Sequence, residues 1–251
     1  AIPPPLPAID IPPITIDSVA SLFENLPTPK RIPQPTGMEQ LGQDYGLILY
    51  RTTLIGPRSG NLNVTDLHDY GLVYVNGAFV DTIDRTKNER TVRLPETADR
   101  GGTLDILVEA MGRVNFGEHL LDRKGITQRV TLRGVTLMKW QAFNLPMDPG
   151  YLRSLKFSSR DTSDSPRFFN GSFHLNETGD TFLDLSRWTK GVVWVNGHHL
   201  GRYWNIGPQQ RLFVPAPWLK KGRNEVTILD LYLKSPALLK GTQHMNDVGG
   251  G

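Results

Sequence analysis

The chain has 251 residues, a net charge of +3, 25 glycines, 19 prolines and no cysteine. The absence of cysteine excludes a disulfide scaffold, a thiol nucleophile and every metal site that needs thiolate ligands. The small net charge gives no reason to expect nucleic acid as a partner. No apolar run approaches the roughly 18 residues of a membrane span, so a membrane partner is not expected either. Frequent Gly and Pro without a collagen-like period favour short strands joined by turns over a helical bundle.

The N-terminal segment is dominated by proline. Ala1–Pro13 contains six prolines, which fix the backbone and remove hydrogen-bond donors. This composition predicts an extended spacer over residues 1–37, interrupted by one strand near Ile14–Leu26. A second proline-rich stretch separates this strand from the runs that follow.

Strand-like runs then follow at short spacing, and no window keeps a 3.6-residue apolar period for three turns. The predicted strands are Tyr45–Leu54, Gly71–Asn76, Thr91–Leu94, Leu104–Glu109, Gln128–Leu132, Leu152–Phe157, Ser172–Leu175, Thr181–Leu185, Gly191–Asn196, Gln210–Val214 and Glu225–Leu233. Regular short strands with turn signals between them predict an all-β fold built from sandwiches.

An internal repeat divides this pattern in two. Gly71–Gly77 (Gly-Leu-Val-Tyr-Val-Asn-Gly) recurs 120 residues later as Gly191–Gly197 (Gly-Val-Val-Trp-Val-Asn-Gly). Asn-Gly after a β-branched run is the strongest short hairpin signal. The repeat predicts two consecutive jelly-roll sandwiches, at residues 38–134 and 135–242, followed by a flexible tail at 243–251.

Catalytic templates are missing. The sequence has no Gly-x-Ser-x-Gly elbow, no Walker or Gly-x-Gly-x-x-Gly loop and no His-Glu-x-x-His. The six histidines show no ligand spacing, and no strand carries carboxylates at the alternate positions used by some glycosidases. We therefore predict no catalytic residue, no metal and no cofactor.

One polar and aromatic cluster suits sugar binding. Arg202, Tyr203, Trp204 and Asn205 are consecutive after the second Asn-Gly turn. Aromatic rings stack on sugars, and Arg and Asn bind sugar hydroxyls. The alternative is that the tryptophans fill the sandwich core, as large aromatic side chains usually do.

Two motif runs identify a family. Trp194–Gln209 (Trp-Val-Asn-Gly-His-His-Leu-Gly-Arg-Tyr-Trp-Asn-Ile-Gly-Pro-Gln) and Gly112–Gly117 (Gly-Arg-Val-Asn-Phe-Gly) resemble the C-terminal region of family 35 β-galactosidases. Further matches run from Met38–Gly46 to about Leu233. The resemblance implies two galactose-binding-like sandwiches without the catalytic (β/α)8 barrel, whose two glutamates carry out hydrolysis in that family.

The resemblance also implies partners. In the family, the aromatic residue of the Gly112–Gly117 motif lies near the substrate, which points to Phe116 here. The expected function is that of a non-catalytic accessory region, which braces the barrel of the same enzyme and helps position terminal β-galactosides. The alternatives are an autonomous module that binds galactose-containing glycans, and a structural or oligomer-forming pair of domains. The resemblance and the lack of cysteine suggest a bacterial exported or periplasmic enzyme.

Overall fold

A computed structural model describes residues 7–96, 101–118, 120–159 and 165–245. The chain divides into two compact units. The first unit is Leu26–Tyr151, and the second combines the segment up to Asn25 with the segment from Leu152 onward. Within the described residues, no helix is both long and apolar enough to cross a membrane.

The described elements are almost all strands. In chain order they are β1 (Thr15–Ser21), β2 (Lys30–Ile32), β3 (Leu47–Thr53), β4 (Gly60–Val64), β5 (Leu67–His68), β6 (Tyr70–Val75), β7 (Ala78–Asp84), β8 (Thr91–Leu94), β9 (Thr103–Glu109), β10 (Gly125–Ile126), β11 (Val130–Leu132), β12 (Val135–Thr136), β13 (Trp140–Leu145), β14 (Arg167–Leu175), β15 (Thr181–Asp184), β16 (Lys190–Val195), β17 (His198–Trp204), β18 (Arg211–Val214), β19 (Gly222–Asp230) and β20 (Lys240–Thr242). One α-helix, α1 (Pro149–Ser154), and short 3-10 turns at Phe23–Asn25, Met38–Leu41, Arg85–Lys87 and Ala216–Trp218 complete the set.

The first unit is a β-sandwich. A six-stranded sheet, β2-β13-β3-β9-β6-β7, faces a four-stranded sheet, β12-β11-β4-β8. Alternate residues of both sheets form one buried cluster, to which the large sheet contributes Tyr50 and Ile106 and the small sheet Leu62 and Val92. Because successive side chains of a strand point to opposite faces of the sheet, an apolar residue at every second position is enough to build this core.

The second unit repeats the design. A five-stranded sheet, β1-β14-β19-β16-β17, faces a three-stranded sheet, β18-β15-β20. Its core includes Phe169 and Ile228 from the large sheet, Leu183 from the small sheet, and the buried Trp188. The expectation of an all-β protein with two sandwiches is confirmed.

The sequence repeat is a structural repeat. In each unit a hairpin turns through an Asn-Gly pair with left-handed backbone angles: Asn76 and Gly77 have φ of 52° and 80°, and Asn196 and Gly197 have φ of 49° and 79°. These are the angles that a two-residue type I′ turn requires. Each turn asparagine also accepts a backbone hydrogen bond through Oδ1, from Thr103 N at 2.8 Å or from Glu225 N at 3.0 Å.

The two units differ in where their outer strand comes from. The order β13-β3-β9-β6-β7 in the first unit corresponds to β1-β14-β19-β16-β17 in the second. β13, the neighbour of β3, is the last strand of the first unit in chain order. β1, the neighbour of β14, is the first strand of the second unit. The N-terminal segment therefore belongs to the second unit.

This arrangement differs from the predicted linker over residues 1–37. Ile9, Ile11 and Ile14 are buried in the second unit, and β1 pairs with β14 along its length. The isoleucine side chains point into the core, while the polar and proline residues between them face outward. Proline is tolerated at the edge of a sheet, because an edge position needs no backbone donor on its outer side. Residues 1–6 of the predicted linker lie outside the described residues.

The division between the units also falls later than the predicted 134/135. β13 lies beyond that point but pairs with β2 and β3 of the first unit. The predicted tail is only partly described, at residues 243–245. Gln243 donates to the Asp10 carboxylate at 3.1 Å through both its backbone and its side-chain amide.

One predicted strand is not formed. The strand predicted over Leu152–Phe157 begins inside α1, which spans Pro149–Ser154, and residues 155–157 have no regular secondary structure. Asp148 Oδ1 accepts from Tyr151 N at 2.7 Å, which is the N-cap hydrogen bond. Proline at the first helical position adds to this start signal, which the strand interpretation overlooked.

Candidate functional site

An exposed loop of the first unit connects the six-stranded sheet to β10, which pairs with β5 in a separate two-stranded sheet. This loop, residues 110–123, runs from the end of β9 to the start of β10 and is described except at residue 119. Four of its apolar side chains are exposed: Phe116 at 88%, Leu121 at 87%, Leu120 at 57% and Val114 at 39%. A cluster of large apolar side chains facing solvent is a typical feature of an interaction surface.

The loop is held at both ends by one carboxylate. β5 pairs with β10, so Asp69, which follows β5, lies beside Lys124, which precedes β10. Asp69 Oδ2 accepts from the Lys124 ammonium at 2.7 Å and from Met111 N, at the other end of the loop, at 2.8 Å. The loop is therefore closed at its base by hydrogen bonds.

Four charges make up this base, which we call the charge cluster: Asp69, Arg85, Asp122 and Lys124. Arg85 Nη1 lies 2.7 Å from Asp69 and 2.8 Å from Asp122, and Lys124 Nζ lies 2.7 Å and 2.6 Å from the same two carboxylates. Lys124 is 1% exposed. Two cations and two anions in alternation compensate each other, as buried charges require.

The pKa of Asp122 reflects this arrangement. Burial alone would raise it, but hydrogen bonds and charge attraction from Lys124 and Arg85 lower it below the ordinary value. His68 extends the cluster, with Nδ1 at 3.2 Å from Asp122 and Nε2 at 3.0 Å from Asp66. The lowered pKa keeps the Asp122 carboxylate anionic at neutral pH.

A second set of contacts ties the loop to the start of the unit. Arg113 Nη2 lies 2.7 Å from Glu39 and donates to Asp44 O at 2.7 Å, and Arg113 Nη1 donates to Asp122 O at 3.3 Å. Glu39 in turn accepts from Lys124 N at 3.0 Å. Arg113, three residues before Phe116 in the motif, therefore ties the loop to the start of the unit and to Asp122.

The second predicted site lies on β17 and the turn after it. Strand alternation places Arg202 and Trp204 on one side and Tyr203 on the other. Arg202 and Asn205 are exposed, and Trp204 is half-buried with the Lys190 ammonium 4.1 Å from its ring centroid. All three residues are accessible to solvent.

Tyr203 differs from the expectation that it contacts sugar. It is 2% exposed, and its hydroxyl lies 2.9 Å from both Leu229 O and Asp230 Oδ2. Burial raises the pKa of Asp230, against the hydrogen bonds that it accepts. Tyr203 therefore stabilises the interior. Trp194 is likewise buried, in agreement with the core alternative for the tryptophans.

Sequence reasoning did not single out the charge cluster. Its members come from separate elements, and each is an ordinary surface residue type until β5 and β10 pair. The stretch Lys-Gly-Ile at 124–126, which is also among the matches to the family, is the signal in the sequence that could have drawn attention to Lys124. Among the described residues, no group of three or more His, Asp or Glu side chains is arranged to hold a metal ion.

The fold and the two surfaces define a pair of all-β sandwich domains, each with aromatic side chains accessible to solvent. Two family models match: "Beta-galactosidase, first all-beta domain" at residues 35–146 and "Beta-galactosidase, galactose-binding domain" at residues 166–224. The chain belongs to the β-galactosidase family, of which it contains these two all-β domains. The resemblance found in the sequence is thereby confirmed.

Two relatives of the chain are named as a β-galactosidase and as a β-galactosidase-1-like protein. The chain is 41% identical over 216 residues to a β-galactosidase of Xanthomonas manihotis, covering 85% of this chain and 36% of the relative. It is 38% identical over 254 residues to human β-galactosidase-1-like protein 2, covering 94% of this chain and 39% of the relative. The chain thus spans well under half the length of these relatives. A β-glucuronidase of Bacteroides uniformis aligns over 81% of this chain and 24% of its own, at 14% identity and a TM-score of 0.30, too low to support any argument.

Proposed function

We propose that this chain is the non-catalytic accessory region of a β-galactosidase, and that the 110–123 loop braces the catalytic barrel of the same enzyme. The observation that carries the proposal is the exposed apolar loop on a rigid, charge-paired base. Exposing Phe116 and Leu121 to water is unfavourable by roughly 1.5–3 kcal/mol for each large side chain relative to burial. A partner surface that covers them would recover this free energy.

The loop also suits a role beside the substrate. Phe116 is 88% exposed and lies three residues after Arg113, whose side chain anchors the loop, so its ring is available to a partner or a substrate. A rigid aromatic ring at the rim of a sugar site stacks on the apolar face of a galactoside. Phe116 would then help position the substrate without touching the reacting atoms.

A chimeric enzyme tests the bracing role. This chain would replace the matching region of the Xanthomonas manihotis enzyme, and hydrolysis of a chromogenic β-galactoside would be followed. Leu120→Ala/Leu121→Ala should lower the thermal stability of the chimera, while Ile55→Ala, at another exposed apolar position, should leave it unchanged. Ile55 is 80% exposed in the same unit. Equal effects of the two variants would contradict the proposal.

The substrate role has its own measurement. In the same chimera, Phe116→Ala should raise KM about tenfold, equivalent to roughly 1.4 kcal/mol of stacking, with a smaller change in kcat. Phe213→Ala, an exposed phenylalanine of the second unit, is the matched control. The isolated chain should not hydrolyse the substrate. Hydrolysis by the isolated chain, lost on one carboxylate substitution, would overturn the accessory role.

The second candidate function is autonomous binding of galactose-containing glycans. It is supported by the accessibility of Arg202, Trp204 and Asn205 and by the match to a galactose-binding domain model over this segment. Calorimetric titration of the isolated chain with galactose and lactose tests it. Saturable heat that Trp204→Ala abolishes and Trp218→Ala retains would support this function, and a flat titration of the folded chain would exclude it.

A further inference from the structure

The outer face of the large sheet in the first unit carries a polar, basic cavity that the proposed function does not use. Its volume is about 680 Å³, within the range of small-molecule sites. Four neighbouring strands or their ends contribute polar lining side chains. These side chains are Arg31, Arg51, Thr53, Thr103, Lys139 and Gln141.

Strand register explains why these side chains converge. Gln141 pairs with Arg31 on one side and with Arg51 on the other. Thr53 pairs with Thr103. Directly paired residues share a face, and residues two apart on one strand do so as well. The three side chains at Arg31, Gln141 and Arg51 therefore form one row, with the threonines beside it.

The charge of this cavity is positive. Arg51 is paired with Asp105 at 2.7 Å and 3.1 Å and lies 5.4 Å from the Phe143 ring centroid, so its guanidinium is held in place. Asp105 itself is 1% exposed and offers little to a ligand. Among the described residues, no carboxylate forms an ion pair with Arg31 or Lys139.

We propose that this cavity binds a short saccharide that carries an anionic group, carboxylate or sulfate. Guanidinium groups bind such anions through paired, charge-assisted hydrogen bonds. The hydroxyls of Thr53 and Thr103 and the amide of Gln141 provide donors and acceptors for the sugar hydroxyls. A simple ion would leave most of the cavity unfilled. None of the residues that line the cavity belongs to the 110–123 loop.

Calorimetric titration of the chain tests the proposal with matched pairs of ligands. Digalacturonate is compared with α-1,4-galactobiose, lactose 3′-sulfate with lactose, and sodium sulfate serves as the simple ion. We expect saturable binding of at least one acidic saccharide, at least about tenfold tighter than its neutral partner and weakened by added salt. The two acidic ligands distinguish a carboxylate from a sulfate as the preferred group.

Variants locate the binding. Arg31→Gln/Lys139→Gln should weaken acidic saccharide binding at least about tenfold, while Lys220→Gln/Lys221→Gln, which removes the same charge from the second unit, should not. Both positions of each pair are exposed, so the variants should keep the wild-type melting temperature. Flat titrations with both acidic ligands, equal affinity for sodium sulfate, or equal effects of the two double variants would overturn the proposal.

Discussion

Lys124 shows that the role of a charged residue depends on the environment in which folding places it. In the sequence it is one of 28 basic residues, but in the structure it is a buried cation between two carboxylates. Removing one partner of a buried ion pair leaves charge uncompensated, which usually costs about 3–5 kcal/mol.

We therefore expect Lys124→Met to lower the free energy of unfolding of the first unit by about 3–5 kcal/mol in urea denaturation. Lys87→Met is the control, because Lys87 is 67% exposed and its ammonium lies 3.9 Å from Asp84. Its effect should stay within about 0.5 kcal/mol. A loss below about 1 kcal/mol for Lys124→Met would show that the charge cluster does not hold the unit together.

The charge cluster also predicts a pH dependence. The pKa of Asp122 is lower in the folded chain than in the unfolded chain, whose value is about 3.9. The resulting stabilisation is present above that unfolded value and is lost as the pH falls through the folded pKa. Stability of the first unit should thus decrease as acid is added below about pH 4.

Asp122→Asn should flatten this acid slope, even if it also lowers stability at pH 7. Asp44→Asn, at an exposed position of the same unit, is the matched control for the loss of one carboxylate. Urea midpoints measured at several pH values would give the slopes. A slope unchanged by Asp122→Asn would assign the acid sensitivity to other carboxylates.

At the scale of single elements, the two Asn-Gly hairpins are the features that sequence predicts best. Their geometry depends on local backbone angles alone, which is why a seven-residue motif was sufficient. The sheet that each hairpin joins depends on distant strands. The strand that leaves each turn, β7 or β17, stays in the same sheet as the strand before the turn. The next strand in the chain, β8 or β18, lies in the opposite sheet.

Gly197→Ala should cost about 1–2 kcal/mol of unfolding free energy, because an alanine at φ of 79° is strained. An added methyl group there meets no atom within 4 Å, so the cost is purely conformational. Gly56→Ala is the matched control, since Gly56 has equal space and no left-handed angle. It should be neutral or slightly stabilising. Equal thermal shifts for both variants would contradict the turn assignment.

At the scale of the whole molecule, the chain order does not follow the order of the units. β1 comes from the N-terminal segment and completes a sheet whose other strands lie beyond residue 166. Gly171 allows this close approach, because a methyl group at Gly171 would clash with the carbonyl oxygen of Thr15. Gly171→Ala should therefore weaken the second unit and leave the first unit intact.

Hydrogen exchange resolved by segment would measure this effect. We expect faster exchange across β1 and β14 in Gly171→Ala, with protection of β3 and β9 in the first unit unchanged. Gly56→Ala, where an added methyl group meets nothing within 4 Å and the backbone angle is not left-handed, controls for a general effect of the substitution on exchange. Slower or equal exchange across β1 in the Gly171 variant would mean that this strand does not depend on the contact.

The sequence by itself determined the all-β class, the two related units and the family, because strand alternation, Asn-Gly turns and long motif runs are local signals. It also indicated Phe116 and the accessible residues Arg202, Trp204 and Asn205. Only the tertiary structure decided that Tyr203 is interior, that the N-terminal segment completes the second unit, and that Asp69, Arg85, Asp122 and Lys124 form one cluster. These features depend on which distant strands pair, and the pairing is set by the burial of whole sheet faces rather than by any single stretch of residues.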